Sequence, residues 1–112
     1  MDDFLGVFPV KICEYEINNG LITVNFLNEK KSFLDKLLKN KGPRIVKIDL
    51  DEIGSFIYPL CNGNNSVDDI IKTSRKHFDE SIEPAQERIP LFIKQLNENK
   101  LVKLYKKSGT DN

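Results

Sequence analysis

The side chains with the greatest chemical potential in this sequence are two cysteines and one histidine. Cys13 and Cys61 lie far apart, and neither has a second cysteine or a histidine at the spacing of a metal site. We therefore expect both to be reduced, structural thiols. His77 lies at the edge of an apolar stripe, and the sequence places no serine, cysteine or acid beside it as a catalytic partner.

An acidic cluster is the next candidate for chemistry. Asp49, Asp51 and Glu52 are close in sequence, but they stand where a helix is predicted to begin, and capping and the helix dipole explain acids there. The chain contains no glycine-rich phosphate loop, no metal-ligand spacing and no nucleophile motif. We predict that the protein is not an enzyme and that it uses no metal or cofactor.

Recognition through the backbone is a different kind of chemistry, and the sequence favours it. Residues 44–50 are rich in β-branched side chains and alternate in polarity, which predicts a strand. If this strand lies at the edge of its sheet, its unpaired N–H and C=O groups can bind an extended peptide. The predicted peptide-binding residues of the strand are Arg44, Ile45, Val46, Lys47, Ile48 and Asp49.

The third predicted helix supplies the second wall of such a groove. At helical spacing, one face of this helix is apolar and must pack inward, and Leu91 lies outside that face. Leu91 is either a single exposed leucine, which is common, or part of a binding surface. The predicted groove residues on this helix are Pro84, Arg88, Leu91 and Gln95, and the predicted inward face is Ala85, Ile89, Phe92, Ile93 and Leu96.

The elements that position these residues follow from hydrophobic periodicity. Residues 10–17 and 21–27 predict a β-hairpin around Asn19-Gly20, because this pair accepts the positive φ of a tight turn. Residues 28–43 form a variable, lysine-rich amphipathic insert. The predicted strand at residues 44–50 comes next, and the face of the hairpin that carries Ile22, Val24 and Phe26 is expected to be buried.

Three helices follow the strands. The first is capped by Asp51 and runs to about Cys61, and the second begins with a capping box at Ser66. The third begins at Pro84 and runs to about residue 99, although Pro90 should kink it or move its start later. An extended segment at residues 101–105 and a polar tail at 106–112 close the chain. The expected fold class is α+β, with a three-stranded antiparallel N-terminal sheet followed by three helices.

Length and charge limit the function further. With 112 residues, the chain is expected to form a single domain, residues 1–112. Seventeen basic residues balance seventeen acidic ones, so the sequence lacks the positive field that draws a protein onto nucleic acid or an anionic membrane. The N-terminus carries acids where a secretory signal would carry positive charge, which favours a cytoplasmic location.

One stretch resembles a known family. Residues 50–63 read LDEIGSFIYPLCNG and are followed by SVDDI at residues 66–70, a pattern similar to the signature of coenzyme PQQ synthesis protein D, the PqqD family. The similarity extends over about residues 44–104. Tyr58 stands where the family usually has tryptophan, Asn62 replaces the commoner aspartate, Pro59 interrupts the first helix, and Asn99-Lys100 replaces the usual glycine.

The resemblance implies a winged helix-turn-helix that acts as a recognition element for ribosomally made precursor peptides. In that family the leader of the precursor adds as a strand to the third strand and contacts the third helix. The domain then presents the leader to a modifying enzyme, commonly of the radical SAM type, as in PQQ biosynthesis. A DNA-binding winged-helix regulator has the same order of elements and is the alternative. A homodimer through the edge strand is a further possibility, and the insert at residues 28–43 could cover that edge.

Overall fold

A computed structural model describes residues 3–28 and 44–106 of the chain. Within this part the protein has an α+β fold with five strands and three α-helices. The strands are β1 (Val7–Lys11), β2 (Glu14–Asn18), β3 (Leu21–Asn28), β4 (Arg44–Asp49) and β5 (Val102–Lys106), and the helices are α1 (Glu52–Ile57), α2 (Val67–Phe78) and α3 (Ala85–Glu98).

Three strands form the antiparallel sheet that carries the predicted binding strand. Their order is β2-β3-β4, with β3 in the centre. The predicted hairpin between β2 and β3 is confirmed: Asn18 is opposite Leu21, so Asn19 and Gly20 form a two-residue turn with φ of 54° and 80°. Positive φ at both central residues defines the turn type whose twist matches that of the flanking strands.

The N-terminal strand was predicted as one unit over residues 10–17, and this is wrong. The chain bends at Ile12-Cys13, so β1 and β2 belong to different sheets. β1 pairs with β5 on one side, and on its other side the Lys11 N–H donates to the Cys61 carbonyl. Because both sides of β1 are occupied, it cannot also pair with β3. A two-stranded sheet of β1 and β5 therefore exists beside the three-stranded one.

The boundaries of the insert and the tail also differ from the predicted ones. Asn28 pairs with Arg44 as the last residue of β3, so β3 takes the first residue of the predicted 28–43 insert. Lys106 pairs with Val7 and belongs to β5 instead of the predicted tail. The predicted features at residues 29–43 and 107–112 lie outside the described residues.

The first helix begins where predicted and ends earlier. Asp51 caps α1 through its carboxylate, which accepts a hydrogen bond of 2.7 Å from the Gly54 N–H. α1 ends at Ile57 instead of about Cys61, because Pro59 lacks the N–H that an α-helix needs, and a short 3-10 turn follows. Gly63, at φ 85°, lies beyond this turn, and its N–H donates to the Pro9 carbonyl.

The second and third helices agree closely with their predicted termini. The capping box of α2 is confirmed, with Ser66 and Asp69 bonding each other's backbone N–H groups. α3 begins at Ala85 with Pro84 as its cap, so Pro90 does not move the start later, although it lies inside the helix. The N–H groups of Glu87 and Arg88 both donate to the Pro84 carbonyl, so the helix is established before Pro90.

One core lies between the inner face of the β2-β3-β4 sheet, the β1-β5 pair and the helices. The expected burial of Ile22 and Val24 is confirmed, and Phe26 packs against the core at its margin. The predicted inward face of α3 is also confirmed, with Phe92 partly exposed and the other four residues buried. The fully buried side chains from the helices include Ile57, Ile70, Ile71, Ile89 and Ile93.

Candidate functional site

β4 lies at the edge of its sheet in the described part of the chain. It pairs with β3 on one side, and no described strand pairs with its other side. The N–H and C=O groups of successive residues point to alternate sides of a strand. Once the direction is known for one residue, it follows for every other residue of the strand. The Leu50 N–H donates to the Ile22 carbonyl at 2.9 Å, which directs the even-numbered residues toward β3. The groups that face the open edge therefore belong to Ile45, Lys47 and Asp49.

The side chains of β4 divide between the two faces of the sheet. On the outer face, the Lys47 ammonium lies 3.4 Å from the Glu16 carboxylate, and Thr23 donates a hydrogen bond of 2.7 Å to Asp49. These contacts hold two charged side chains on the outer face and leave their backbone groups at the edge. Ile45 is 61% exposed. Only the backbone of Arg44 is described.

The inner face of β4 leads toward the helices. Ile48 packs against the core, and Val46, one pair further from it, is 37% exposed. A strand that adds to β4 would continue this inner face, because directly opposed residues point to the same side of a sheet. The alternate side chains of the added strand would then face the helices.

A pocket lies between the start of α1 and the outward face of α3. Its volume is about 220 Å³, and three of the four predicted α3 residues line it, whereas Pro84 does not. Leu91, at 58% exposed, forms part of the wall. The β4 residues are not among the lining residues, and the chain reaches the pocket through Leu50. The lining residues are Asp51, Ile53, Arg88, Ile89, Leu91, Phe92 and Gln95.

Two small residues in the first turn of α1 bring this helix close to α3 and to the sheet. Gly54 is close to α3: a Cβ placed on it would lie 2.7 Å from Cζ of Phe92. The Ser55 hydroxyl accepts a hydrogen bond of 2.8 Å from the Ile22 N–H and donates one of 3.3 Å to the Leu50 carbonyl. Ser55 therefore inserts into the end of the β3-β4 ladder and ties α1 to the sheet.

Sequence reasoning missed these two roles. No packing or binding role was predicted for Gly54 or Ser55. Asp51 was expected as a cap and Phe92 as a core residue, and both also line the pocket, as does Ile53. The available signal was the adjacent pair of small residues in a short helix, which is typical of close approach between backbones.

The charge at the pocket comes mainly from two residues. Asp51 is engaged as the cap of α1. The Arg88 guanidinium donates one hydrogen bond of 3.0 Å to the Ser81 carbonyl, and no carboxylate of the described residues lies within ion-pair distance of it. A guanidinium has five N–H donors, so most of those of Arg88 remain available at the mouth of the pocket.

The cysteines are unsuited to nucleophilic chemistry. Burial raises the pKa of the Cys61 thiol to about 12 and also raises the pKa of Cys13, so both are protonated at neutral pH. Burial likewise raises the pKa of Tyr58, whose hydroxyl donates to the Leu101 carbonyl at 3.0 Å. Among the described residues, no group of three or more His, Cys, Asp or Glu side chains could hold a metal ion.

The remaining candidates have structural explanations. His77 is exposed and stacks on Phe56, with ring centroids 4.1 Å apart. A second depression, near the end of α2, is lined by Arg75 and Glu83, which bond each other through two hydrogen bonds of 2.9 and 3.3 Å. This contact lowers the pKa of Glu83. Within the described chain, none of the helices is long and apolar enough to cross a membrane.

Fold and site together define a class: a small α+β domain whose open sheet edge leads to a pocket on a neighbouring helix. The family model of coenzyme PQQ synthesis protein D (PqqD) matches residues 44–102, more than half of the 112 residues. This match runs from the start of β4 through all three helices to the first residue of β5. The chain therefore belongs to the PqqD family. No curated protein and no solved structure matches it significantly.

Proposed function

We propose that this protein captures the leader of a ribosomally made precursor peptide by strand addition to β4 and presents it to a modifying enzyme. The single observation that carries this proposal is the open edge of β4, which leads through Leu50 to the pocket on α3. Membership in the PqqD family supports a binding role in PQQ-type biosynthesis. In this proposal the domain catalyses nothing, and its partner is an enzyme of the radical SAM type.

The energetics require both halves of the site. Ile45, Lys47 and Asp49 offer two backbone groups each, so an added strand can form at most about six hydrogen bonds. At roughly 1 kcal/mol net per bond, these fall short of the about 8.2 kcal/mol that corresponds to a dissociation constant of about 1 μM. Burial of an apolar side chain against Leu91 and Phe92 must supply the remainder, at about 25 cal/mol per Å².

The β4 edge suits this role better than the edge of β5. The Asn97 side chain donates a hydrogen bond of 3.0 Å to the Val102 carbonyl, so part of the β5 edge is already occupied. For the described part of β4, no such contact occupies the edge.

The same proposal includes a winged helix-turn-helix in which α3 faces a peptide instead of DNA. The charges on α3 support this choice, since Arg88 and Lys94 are offset by Glu87 and Glu98. A helix that reads DNA needs a surplus of positive charge to neutralise phosphates.

A titration monitored by two-dimensional NMR tests the β4 edge, with candidate precursor peptides encoded beside this gene. We expect the amides of Ile45, Lys47 and Asp49 to shift most. Lys47→Pro should weaken binding about 5- to 30-fold, because it removes one outward N–H without removing a bond to β3. Lys47→Ala controls for the lost side chain, and Ile17→Pro places a proline on the opposite edge. Shifts confined to other residues would rule out this edge.

Leu91→Asp tests the pocket independently. Leu91 is 58% exposed, so the variant should keep nearly the same melting temperature while binding the peptide at least about tenfold more weakly. Leu21→Asp is the matched control, because Leu21 is 45% exposed and lies at the hairpin turn, outside the pocket lining. Equal loss of binding in both variants would contradict a specific role for Leu91, as would a large fall in the melting temperature of Leu91→Asp.

A further inference from the structure

Three pocket residues of α3 follow one another along the helix. Arg88, Leu91 and Gln95 are separated by three and four positions, so their side chains lie on one face, about 4.5 and about 6 Å apart along the axis. Cation, apolar side chain and neutral amide therefore occur in a fixed order along the outward side of α3. A peptide that runs along this face meets the three chemistries in turn.

Arg88 is the cation in this row, and its charge is available. Its one hydrogen bond is to a neutral carbonyl, that of Ser81. Two other cations near α3 are engaged differently: Lys94 lies over the ring of Phe4 at 4.8 Å, and Arg75 bonds Glu83 through two hydrogen bonds. An arginine beside an apolar pocket favours a carboxylate, because its planar donors match the two oxygens of that group.

The spacing of the row suits an extended peptide. Side chains on one face of a strand recur every second residue, at about 6.6 Å. The step from Leu91 to Arg88 along the helix axis is shorter, about 4.5 Å, and the long Arg88 side chain, which reaches the Ser81 carbonyl before the start of α3, spans the difference. When one inner-face residue of the captured strand enters the pocket beside Leu91 and Phe92, the next inner-face residue lies near Arg88. On the other side, Gln95 has an amide that both donates and accepts, so it selects no charge.

We propose that the captured peptide is recognised by a bulky apolar residue and a carboxylate two positions away, with Arg88 as the residue that selects the carboxylate. This inference rests on the proposed function, because it assigns the chemistry of the peptide that the β4 edge would bind. The apolar residue occupies the pocket formed by Leu91 and Phe92. The two residues are separated by one residue whose side chain points to the outer face.

A library of random decapeptides displayed on phage tests the proposal without knowledge of the natural ligand. The full-length protein should enrich peptides in which Asp or Glu occurs two positions from an aliphatic or aromatic residue. Arg88→Gln should enrich the apolar residue without the acid. Arg75→Gln is the matched control, since Arg75 lies outside this pocket, and it should keep the wild-type preference.

Affinity measurements on one selected peptide complete the test. Replacing its acid by the corresponding amide should weaken binding to the wild-type protein about tenfold and change binding to Arg88→Gln by less than about twofold. Enrichment of apolar residues without an acid overturns the proposal, as does an acid preference that survives in Arg88→Gln. If no peptide is enriched by any variant, the peptide-capture function itself fails, and this outcome is distinct from loss of the acid preference alone.

Discussion

The hydroxyl of Ser55 provides a sharp test of how the binding edge is built. Ser55→Ala removes an acceptor from the Ile22 N–H and a donor from the Leu50 carbonyl, and all three residues are buried. A buried N–H without a partner costs about 1–3 kcal/mol, and the second bond contributes about 1 kcal/mol. Alanine is about 0.5 kcal/mol better in a helix. We expect the free energy of unfolding to fall by about 2 kcal/mol.

Ser74→Ala is the matched control for this substitution. Ser74 is fully buried in α2, and its hydroxyl has no hydrogen-bond partner among the described atoms. Replacing it removes an unsatisfied polar group and improves helix propensity, so the free energy of unfolding should rise by about 1 kcal/mol. The two serine-to-alanine variants should therefore differ by about 3 kcal/mol, although they remove the same atom.

Urea unfolding monitored by circular dichroism measures this difference. With a slope of about 1.5 kcal/mol per M, the two midpoints should be about 2 M apart. In thermal unfolding the difference corresponds to about 12 °C for a domain of this size. Equal midpoints for the two variants would refute the bridging role of Ser55. A destabilised Ser74→Ala would show that its hydroxyl has a partner.

Further predictions concern close contacts, backbone conformation and thiols. Gly54→Ala should destabilise the protein by about 1–3 kcal/mol in urea unfolding, because its Cβ would lie 2.7 Å from the Phe92 ring. Lys100→Gly should stabilise it by about 0.5–1 kcal/mol, since Lys100 has φ 64°; no gain in midpoint would contradict this. At pH 8 a thiol reagent should modify Cys13 before Cys61, whose pKa is about 12, and equal rates would contradict the burial of Cys61.

Features set by neighbours in sequence could be predicted well. The Asn19-Gly20 turn and the capping box of Ser66 and Asp69 depend on residues no more than three positions apart, and both are confirmed. The inward face of α3 also follows from local spacing, because helical periodicity determines which side chains share a face. Leu91 lies outside that face and is exposed, as this spacing predicted.

Features that depend on distant partners could not be predicted in this way. The alternation of apolar and polar side chains in residues 10–17 indicates an extended chain. It does not indicate which strand pairs with that chain, so the pairing of β1 with β5 was missed. The end of α3 shows the same limit, because Asn99-Lys100 stands where the family usually has glycine. Lys100 still adopts φ 64° and its N–H bonds the Asn97 carbonyl, because the pairing of Leu101 with Leu96 closes the helix end.

The first turn of α1 links stability to the geometry of the proposed site. Asp51 caps this turn, Gly54 allows α3 to approach, and Ser55 closes the ladder between β3 and β4. All three lie within the six residues that directly follow the binding strand, so a change in this turn moves the edge and the pocket together. Substitutions there should reduce stability and binding at once.

Exposed residues outside the first turn of α1 should behave differently. Lys47 and Leu91 contribute exposed groups to the edge and the pocket, and neither is part of the core. Their substitutions should therefore change binding at nearly constant stability. Comparing substitutions in the first turn of α1 with substitutions of exposed residues separates effects on position from effects on recognition. If Lys47→Pro or Leu91→Asp lost binding only in proportion to stability, the position of the elements alone would explain the site. The β4 edge and the α3 pocket would then have no direct contact with the peptide.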